Sequence, residues 1–249
     1  MRLRSLSCLL FGALASSPAH AADWYTGAAG RGVSSSRPSA SFDLSLSGTT
    51  QASVHGVGIG TFTPYGFLDQ SGMRLRLAAT IGTFTYMSTV EGVGEVRGDQ
   101  GVITMLGGYE WVAPTMTAAV YGGLDVWRNS FDKFDPSNQT GGTTMGFKLA
   151  ADVYVNPTRF TMASANVTFS TAHQSYYGRF KVGMAVTEKV FIGPELVAIG
   201  DSFSQQYRMG VHVSGLRIGP LQFGLAGGYM SDRIRGSGGY GTLDTRLTF

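Results

Sequence analysis

Cysteine is all but missing. The chain has one, Cys8, inside its first apolar stretch. Once that stretch is removed no thiol remains, which excludes disulfides and thiolate metal centres. Charge is scarce too: Asp, Glu, Lys and Arg make up 14% of the residues, against roughly 25% in an average soluble domain. The 19 basic residues face 16 acidic ones without a basic run, so the concentrated patch of a nucleic-acid binder is lacking. Past the N-terminus no apolar run approaches ~18 residues, which excludes helical membrane spans. Disorder is excluded as well, because it goes with few aromatics and high net charge, whereas this chain has 15 Phe, 11 Tyr and 3 Trp. The residue in excess is glycine, 36 of 249, about twice its usual share of roughly 7%.

The first 21 residues stand apart. Arg2 and Arg4 precede an apolar stretch from Leu6 to Ala15, and Ala19-His20-Ala21 forms an A-x-A cleavage site behind Pro18. That order predicts a secretory signal peptide, since the stretch falls well short of the ~20 residues of a spanning helix. Cys8 precedes most of the apolar stretch, unlike a lipoprotein cysteine, which follows it. The expected mature chain is a single domain, residues 22–249, with 17 basic and 16 acidic residues.

What recurs along that chain is alternation with period two. From Ile103 to Trp111, one parity carries Ile103, Met105, Tyr109 and Trp111, and the other Thr104, Gly108 and Glu110. Met145–Val155 sets Phe147, Leu149, Ala151 and Val153 against Lys148, Ala150 and Asp152. Strands place successive side chains on opposite faces, so these segments have one apolar and one polar face. Twelve are predicted, over roughly 40–48, 52–62, 73–85, 101–112, 116–127, 143–155, 159–169, 175–187, 190–199, 205–216, 220–230 and 239–249. The connections separate a membrane barrel from a soluble sandwich. Tight turns such as Ala113-Pro114-Thr115, Asn156-Pro157-Thr158 and Ile218-Gly219-Pro220 alternate with longer loops, among them Met87–Gln100, Arg128–Gly142 and Ser231–Gly238. Short turns on one side and long loops on the other predict an all-β, antiparallel transmembrane barrel of about twelve strands, with short periplasmic turns and longer extracellular loops. Thr63–Ser71 breaks the pattern, being long for a periplasmic turn. Aromatics near strand ends on the apolar parity (Trp111, Phe169, Tyr176, Phe223, Tyr229, Phe249) suit interfacial girdles.

Parity also assigns a lumen-facing set. Its bases are Arg74, Arg76, Lys148, Arg179, Lys181, Arg208 and Arg246; its acids are Asp43, Glu110, Asp125, Asp152, Glu195 and Asp244. A strongly selective pore shows one sign of charge, and this set is nearly neutral. Two readings stay open: ion pairs that fill and rigidify the lumen, or a narrow polar conduit for a neutral or amphoteric solute. A twelve-strand barrel lies between filled eight-strand barrels and open porins. For Asp152 and Lys148 the expected partners come from Asp125 on the preceding strand and from Arg179 or Lys181 two strands on.

Some outer-membrane barrels are hydrolases, and His173-Gln174-Ser175 places a His and a Ser on one strand face. No acid lies nearby to orient the base, so the expectation is a solvated loop histidine. His212, inward by parity, is expected in the polar network, without a second metal ligand spaced with it. No cofactor site is expected. Within Arg128–Gly142, Phe131, Asp132, Phe134, Asp135 and Asn138 combine rings with carboxylates and an amide. That mixture suits stacking on sugar faces and hydrogen bonding to hydroxyls, and equally a loop packed on itself.

Several patches recur in a definite order: Ala22-Asp23-Trp24-Tyr25-Thr26-Gly27, Ile59-Gly60-Thr61-Phe62, Leu68-Asp69-Gln70-Ser71-Gly72, Gly108-Tyr109-Glu110-Trp111, Ser170-Thr171-Ala172-His173, Ile192-Gly193-Pro194-Glu195 and Tyr240-Gly241-Thr242-Leu243-Asp244. In that order the chain resembles the cellulose biosynthesis protein BcsS family of outer-membrane-type proteins. The resemblance implies a role beside a cellulose synthase, in making or exporting the polymer; the expected function is a non-enzymatic barrel accessory to production of cellulose or another exopolysaccharide, as conduit, anchor or scaffold. The implied partners are outer-membrane lipid, the polysaccharide and synthase components. It supplies no site residues. Two alternatives from other classes are a small-solute porin and an outer-membrane hydrolase.

Overall fold

The computed structural model describes residues 37–249. The expected signal segment and the Ala22–Gly27 patch lie outside the described residues. Twelve antiparallel strands follow one another: β1 (Ala40–Thr49), β2 (Ser53–Phe62), β3 (Gly72–Met87), β4 (Glu95–Ala113), β5 (Met116–Phe131), β6 (Gly142–Thr158), β7 (Thr161–Ser170), β8 (Tyr176–Ala185), β9 (Phe191–Gly200), β10 (Gln205–Ile218), β11 (Leu221–Asp232) and β12 (Gly236–Thr248). Each pairs with its sequence neighbours, and β1 pairs with β12, so the sheet closes into a barrel. Lipid offers a backbone no hydrogen-bond partner, and closure removes the two open edges that would otherwise need one. The seam is tied down to the final residue: Phe249 accepts from the Ser39 amide at 2.7 Å and donates to the Ala40 carbonyl at 2.9 Å.

Burial is inverted relative to a soluble protein. On β4, Ile103, Met105 and Trp111 are exposed while Val102, Thr104, Leu106 and Glu110 are buried. On β6, Phe147, Leu149 and Val153 face out and Ala150, Asp152 and Tyr154 face in. An apolar outside and a polar inside are what a bilayer requires of a barrel wall. Exposed aromatics mark both rims of the apolar band, Trp111 and Phe249 toward the end where β1 begins and β12 finishes, Phe169 and Tyr229 toward the other.

Two departures from the sequence expectation have physical causes. First, β4 begins at Glu95 and β5 runs to Phe131, so the loops expected over 87–100 and 128–142 shrink to 88–94 and 132–141. These strands continue past the bilayer, where neither face needs to be apolar. The alternation fades, but the ladder goes on from Gly98↔Phe131 to Gly101↔Arg128. Second, the long segment between β2 and β3 sits at the end with the short turns and folds over it. There the Leu68 amide donates to the Pro38 carbonyl at 2.8 Å, and the Leu68 side chain is buried. Gly66 turns this segment at φ +82°, a left-handed value that only glycine adopts without cost.

The strands tilt, and the tilt decides who meets whom inside. Hydrogen-bonded partners traced from Ser41 run to Thr61, Arg76, Leu106, Gly123, Lys148 and Ser170. The trace starts at the turn end and finishes at the loop end. A level section through the barrel therefore meets Arg76 on β3 together with Asp152 on β6, four residues below Lys148.

Candidate functional site

The interior has two levels. The turn-side half, periplasmic in an outer-membrane barrel, is packed with paired charges. Arg76 lies 2.8 Å from Asp152, with its guanidinium 3.8 Å over the Tyr121 ring. Asn166 donates a hydrogen bond to the same carboxylate. Arg246 pairs with Asp43 at 3.5 Å. Arg74 pairs with Glu110 at 3.2 Å and also donates to the Leu68 and Gln70 carbonyls. It thus fastens the folded-over segment to the wall.

On the opposite wall two cations and two carboxylates close a second cluster. Arg179 bridges Glu195 at 2.7 Å and Asp244 at 2.9 Å, and Lys181 reaches the same two at 3.8 and 3.4 Å. Ser45 donates to Asp244 and Tyr240 to Glu195. These charges are at most 7% exposed. Burial strips each ion of water at a cost of several kcal/mol, which only close, multiply hydrogen-bonded pairs can offset. Tyr154, Met162, Phe191 and His212, all buried, fill the space beside them.

The loop-side half opens into a cavity of about 310 Å³. Rings of Phe84, Tyr86, Trp127, Tyr177 and Phe203 line it, with the amides of Gln100, Asn129 and Gln206 and several hydroxyls. Tyr86 packs edge-on to Phe203 at 5.1 Å, and Arg235 lies over Phe84 at 5.0 Å. Apolar walls bearing a few convergent polar groups are the usual make-up of a ligand pocket. Lys148 reaches the cavity wall while its partner Asp125, 3.6 Å away, is fully buried behind it and holds hydrogen bonds from Ser170 and Trp127. Among the described lumen charges singled out in the sequence, Arg208 alone has no carboxylate within 4 Å. It donates to the Gln206 side-chain carbonyl and to the Ser47 hydroxyl, both at 2.6 Å.

The profile of the cellulose biosynthesis protein BcsS family matches residues 46–249. The chain belongs to the BcsS family. No curated protein sequence matches it. Among solved structures, an outer membrane channel from Pseudomonas putida aligns at TM-score 0.54 and 11% identity, over 87% of this chain and 97% of that one. The translocator domain of the autotransporter NalP from Neisseria meningitidis aligns at TM-score 0.46 and 11% identity, over 86% and 88%. KdgM porin aligns at TM-score 0.42 and 10% identity, over 84% and 99%. The likeness to the Pseudomonas putida channel is one of fold. This BcsS-family protein is thus an outer-membrane β-barrel linked to cellulose biosynthesis.

In the BcsS barrel some expected neighbours differ. Lys148 pairs with Asp125 from the preceding strand, but Asp152 takes Arg76 from three strands back, not Arg179 or Lys181, because strand tilt sets the level. Arg179 and Lys181 turn to Glu195 and Asp244 instead. Of the five loop residues considered for sugar contact, Phe131 and Asn138 meet at Tyr86 and Phe134 stands apart. Phe131 ends β5 and packs against Phe84 and Tyr86 at 6.2 and 6.5 Å. Asp132 accepts from the Arg97 amide. One oxygen of Asp135 accepts from the Ser137 amide and hydroxyl. Asn138 accepts from Thr140 and donates to the Tyr86 hydroxyl, joining the cavity wall. Phe134 stands in solvent, 86% exposed.

The histidines regroup as well. His173 packs edge-on to Trp127 at 5.8 Å, and its Nε2 has no hydrogen-bond partner among the described residues, Ser175 included. Two Ser–His contacts escaped the sequence reading: Ser53 with His55 and Ser214 with His212, each at 2.8 Å. The i, i+2 spacing on the inward parity was the available signal. His212 Nε2 lies 3.0 Å from the Val182 carbonyl oxygen and so carries the proton, which leaves Nδ1 to accept from Ser214. This pair is sealed in the wall, whereas His55 borders the cavity.

Proposed function

We propose that the mature chain, residues 22–249, works as one non-enzymatic barrel that serves cellulose production as a surface anchor and not as a conduit. The observation that carries this reading is the arrangement of the lumen. A turn-side half filled by mutually paired charges lies beneath an open, ring-lined vestibule facing the loops. A polymer or solute crossing the barrel would have to break buried ion pairs, each worth ~3–5 kcal/mol when one partner is lost. A vestibule of aromatic faces, amides and hydroxyls suits the holding of a glycan at the outer surface. Among the described residues no carboxylate orients the ring in either histidine–serine contact, which supports a binding role over hydrolysis. The partners proposed are outer-membrane lipid around the wall, cellulose or a related polysaccharide at the vestibule, and components of the synthase machinery at the periplasmic end.

Deletion of the gene tests the reading. Cellulose retained at the cell surface should fall while synthase activity in isolated inner membranes stays unchanged, and the wild-type gene should restore retention. Unaltered amount and retention of cellulose in the deletion strain would overturn it.

A further inference from the structure

The lumen is nearly neutral in total, yet its charges are sorted by depth. The cations that line the vestibule are Arg76, Lys148, Arg179, Arg208 and Arg235. The carboxylates that line it are Asp201 and Asp232. Asp125, Asp152, Glu195 and Asp244, which balance most of these cations, sit behind them in the wall and plug. A ligand entering from the loops therefore meets the positive side of each pair.

Arg208 is the focus of that field. Its Nε donates to the Gln206 side-chain oxygen, and Gln206 in turn donates to Asp232 at 3.1 Å. Asp232 is already occupied by Arg235 at 3.5 Å and by the Ile234 and Arg235 amides. The amide of Gln206 thus stands between Arg208 and the nearest acid of this chain of contacts. The guanidinium is oriented by Ser47, by Gln206 and by the Tyr240 ring 5.3 Å away, but it is not neutralised. It is also 7% exposed, and a buried cation with no carboxylate in contact is costly unless an anion comes to it. A second, independent feature points to hydroxyl donors. Asn129 lines the same cavity and gives its amide hydrogen to the Thr140 carbonyl at 2.9 Å, while its side-chain oxygen has no hydrogen-bond partner among the described residues.

We propose that the vestibule is a binding site for an acidic saccharide, a sugar unit bearing a carboxylate or comparable anionic group. The anion sits against Arg208, and the ring hydroxyls and faces lie against Asn129 and the aromatic wall. This rests on reading the vestibule as a glycan site and adds the sign of the charge that it selects. A cavity of about 310 Å³ lies at the lower end of the ~300–1,000 Å³ usual for small ligands and suits one or two sugar units.

Calorimetric titration of the full mature chain in detergent tests it, with cellobiose, with the disaccharide in which one glucose is replaced by glucuronate, and with acetate. The glucuronate disaccharide should bind about tenfold or more tighter than cellobiose at low salt, because charge-assisted hydrogen bonds are the stronger ones. Added salt should narrow the gap. Arg208→Gln should abolish the preference, and Arg208→Lys should keep part of it. Equal binding of the two disaccharides by the wild type would overturn the charge selection and leave the glycan reading intact. Acetate binding as tightly as the glucuronate disaccharide would show an anion site without sugar recognition. Failure of both disaccharides to bind would remove the glycan reading and the proposal together.

Discussion

The two halves of the lumen draw on the same side chains and use them differently. In the turn-side half each cation meets a carboxylate from another strand, adjacent or farther round the wall: Arg76 with Asp152, Arg179 with Glu195 and Asp244. In the loop-side half the carboxylates recede behind the wall, as Asp125 does behind Lys148, or are satisfied by loop amides, as Asp201 is by Phe203 and Ser204. The net count of charges is thus a poor guide to what a lumen presents. Depth and pairing decide. A closed set of pairs resists passage, and an exposed set of half-neutralised cations invites an anion.

The comparison breaks most sharply at Asp244. Asp244→Asn leaves Arg179 and Lys181 sharing Glu195, and it should cost toward the top of the ~3–5 kcal/mol range for breaking a buried pair. A urea titration of the barrel refolded in vesicles measures this. Asp152→Asn strands Arg76 but leaves it the Tyr121 face, so the loss in the same assay should fall toward the lower end of that range. A shift below about 1 kcal/mol in either variant, the size of an exposed pair, would mean that water fills the turn-side half. Leu149→Arg places a charge on the lipid face near mid-bilayer and should cost about 2–4 kcal/mol. It calibrates the lumen variants against a change whose cost comes from lipid alone. Arg208→Gln strands no carboxylate; it gives up two hydrogen bonds from a charged donor, about 1.5–3 kcal/mol each, and removes the offsetting cost of a buried cation with no carboxylate in contact. Its unfolding midpoint should barely move, and a loss as large as that of Asp152→Asn would erase the distinction between the halves.

Much of the wall was legible in the sequence, because a bilayer imposes one apolar face and the pleat imposes period two. Ile103 and Met105 against Thr104, or Leu149 against Asp152, carry that signal directly. The strand ends beyond the bilayer were not legible: Glu95–Gln100 and Arg128–Phe131 pair as strands, yet water on both sides removes the alternation. The register bulge between Ser214 and Leu216 was equally silent; there Gly215 takes φ +88°. For the interior, parity tells which side chains point inward and nothing about their height. Height depends on strand tilt, which is why Asp152 finds Arg76 and not a charge closer in sequence. The vestibule lay hidden for a similar reason. It is built from single inward residues of many strands and from Phe203 and Arg235 in short loops, and no contiguous motif marks it. The Thr63–Ser71 segment was visible as an anomaly, but its role required Arg74 to be seen gripping its carbonyls.

The central claim is that paired charges close the turn-side half of this barrel. Single-channel recording of the purified mature chain in planar bilayers tests it most directly. The account predicts that wild type inserts without stable conducting steps, and that Asp244→Asn, by loosening the plug, produces them. Steady, ohmic conductance from the wild-type barrel, unchanged in Asp244→Asn, would contradict it.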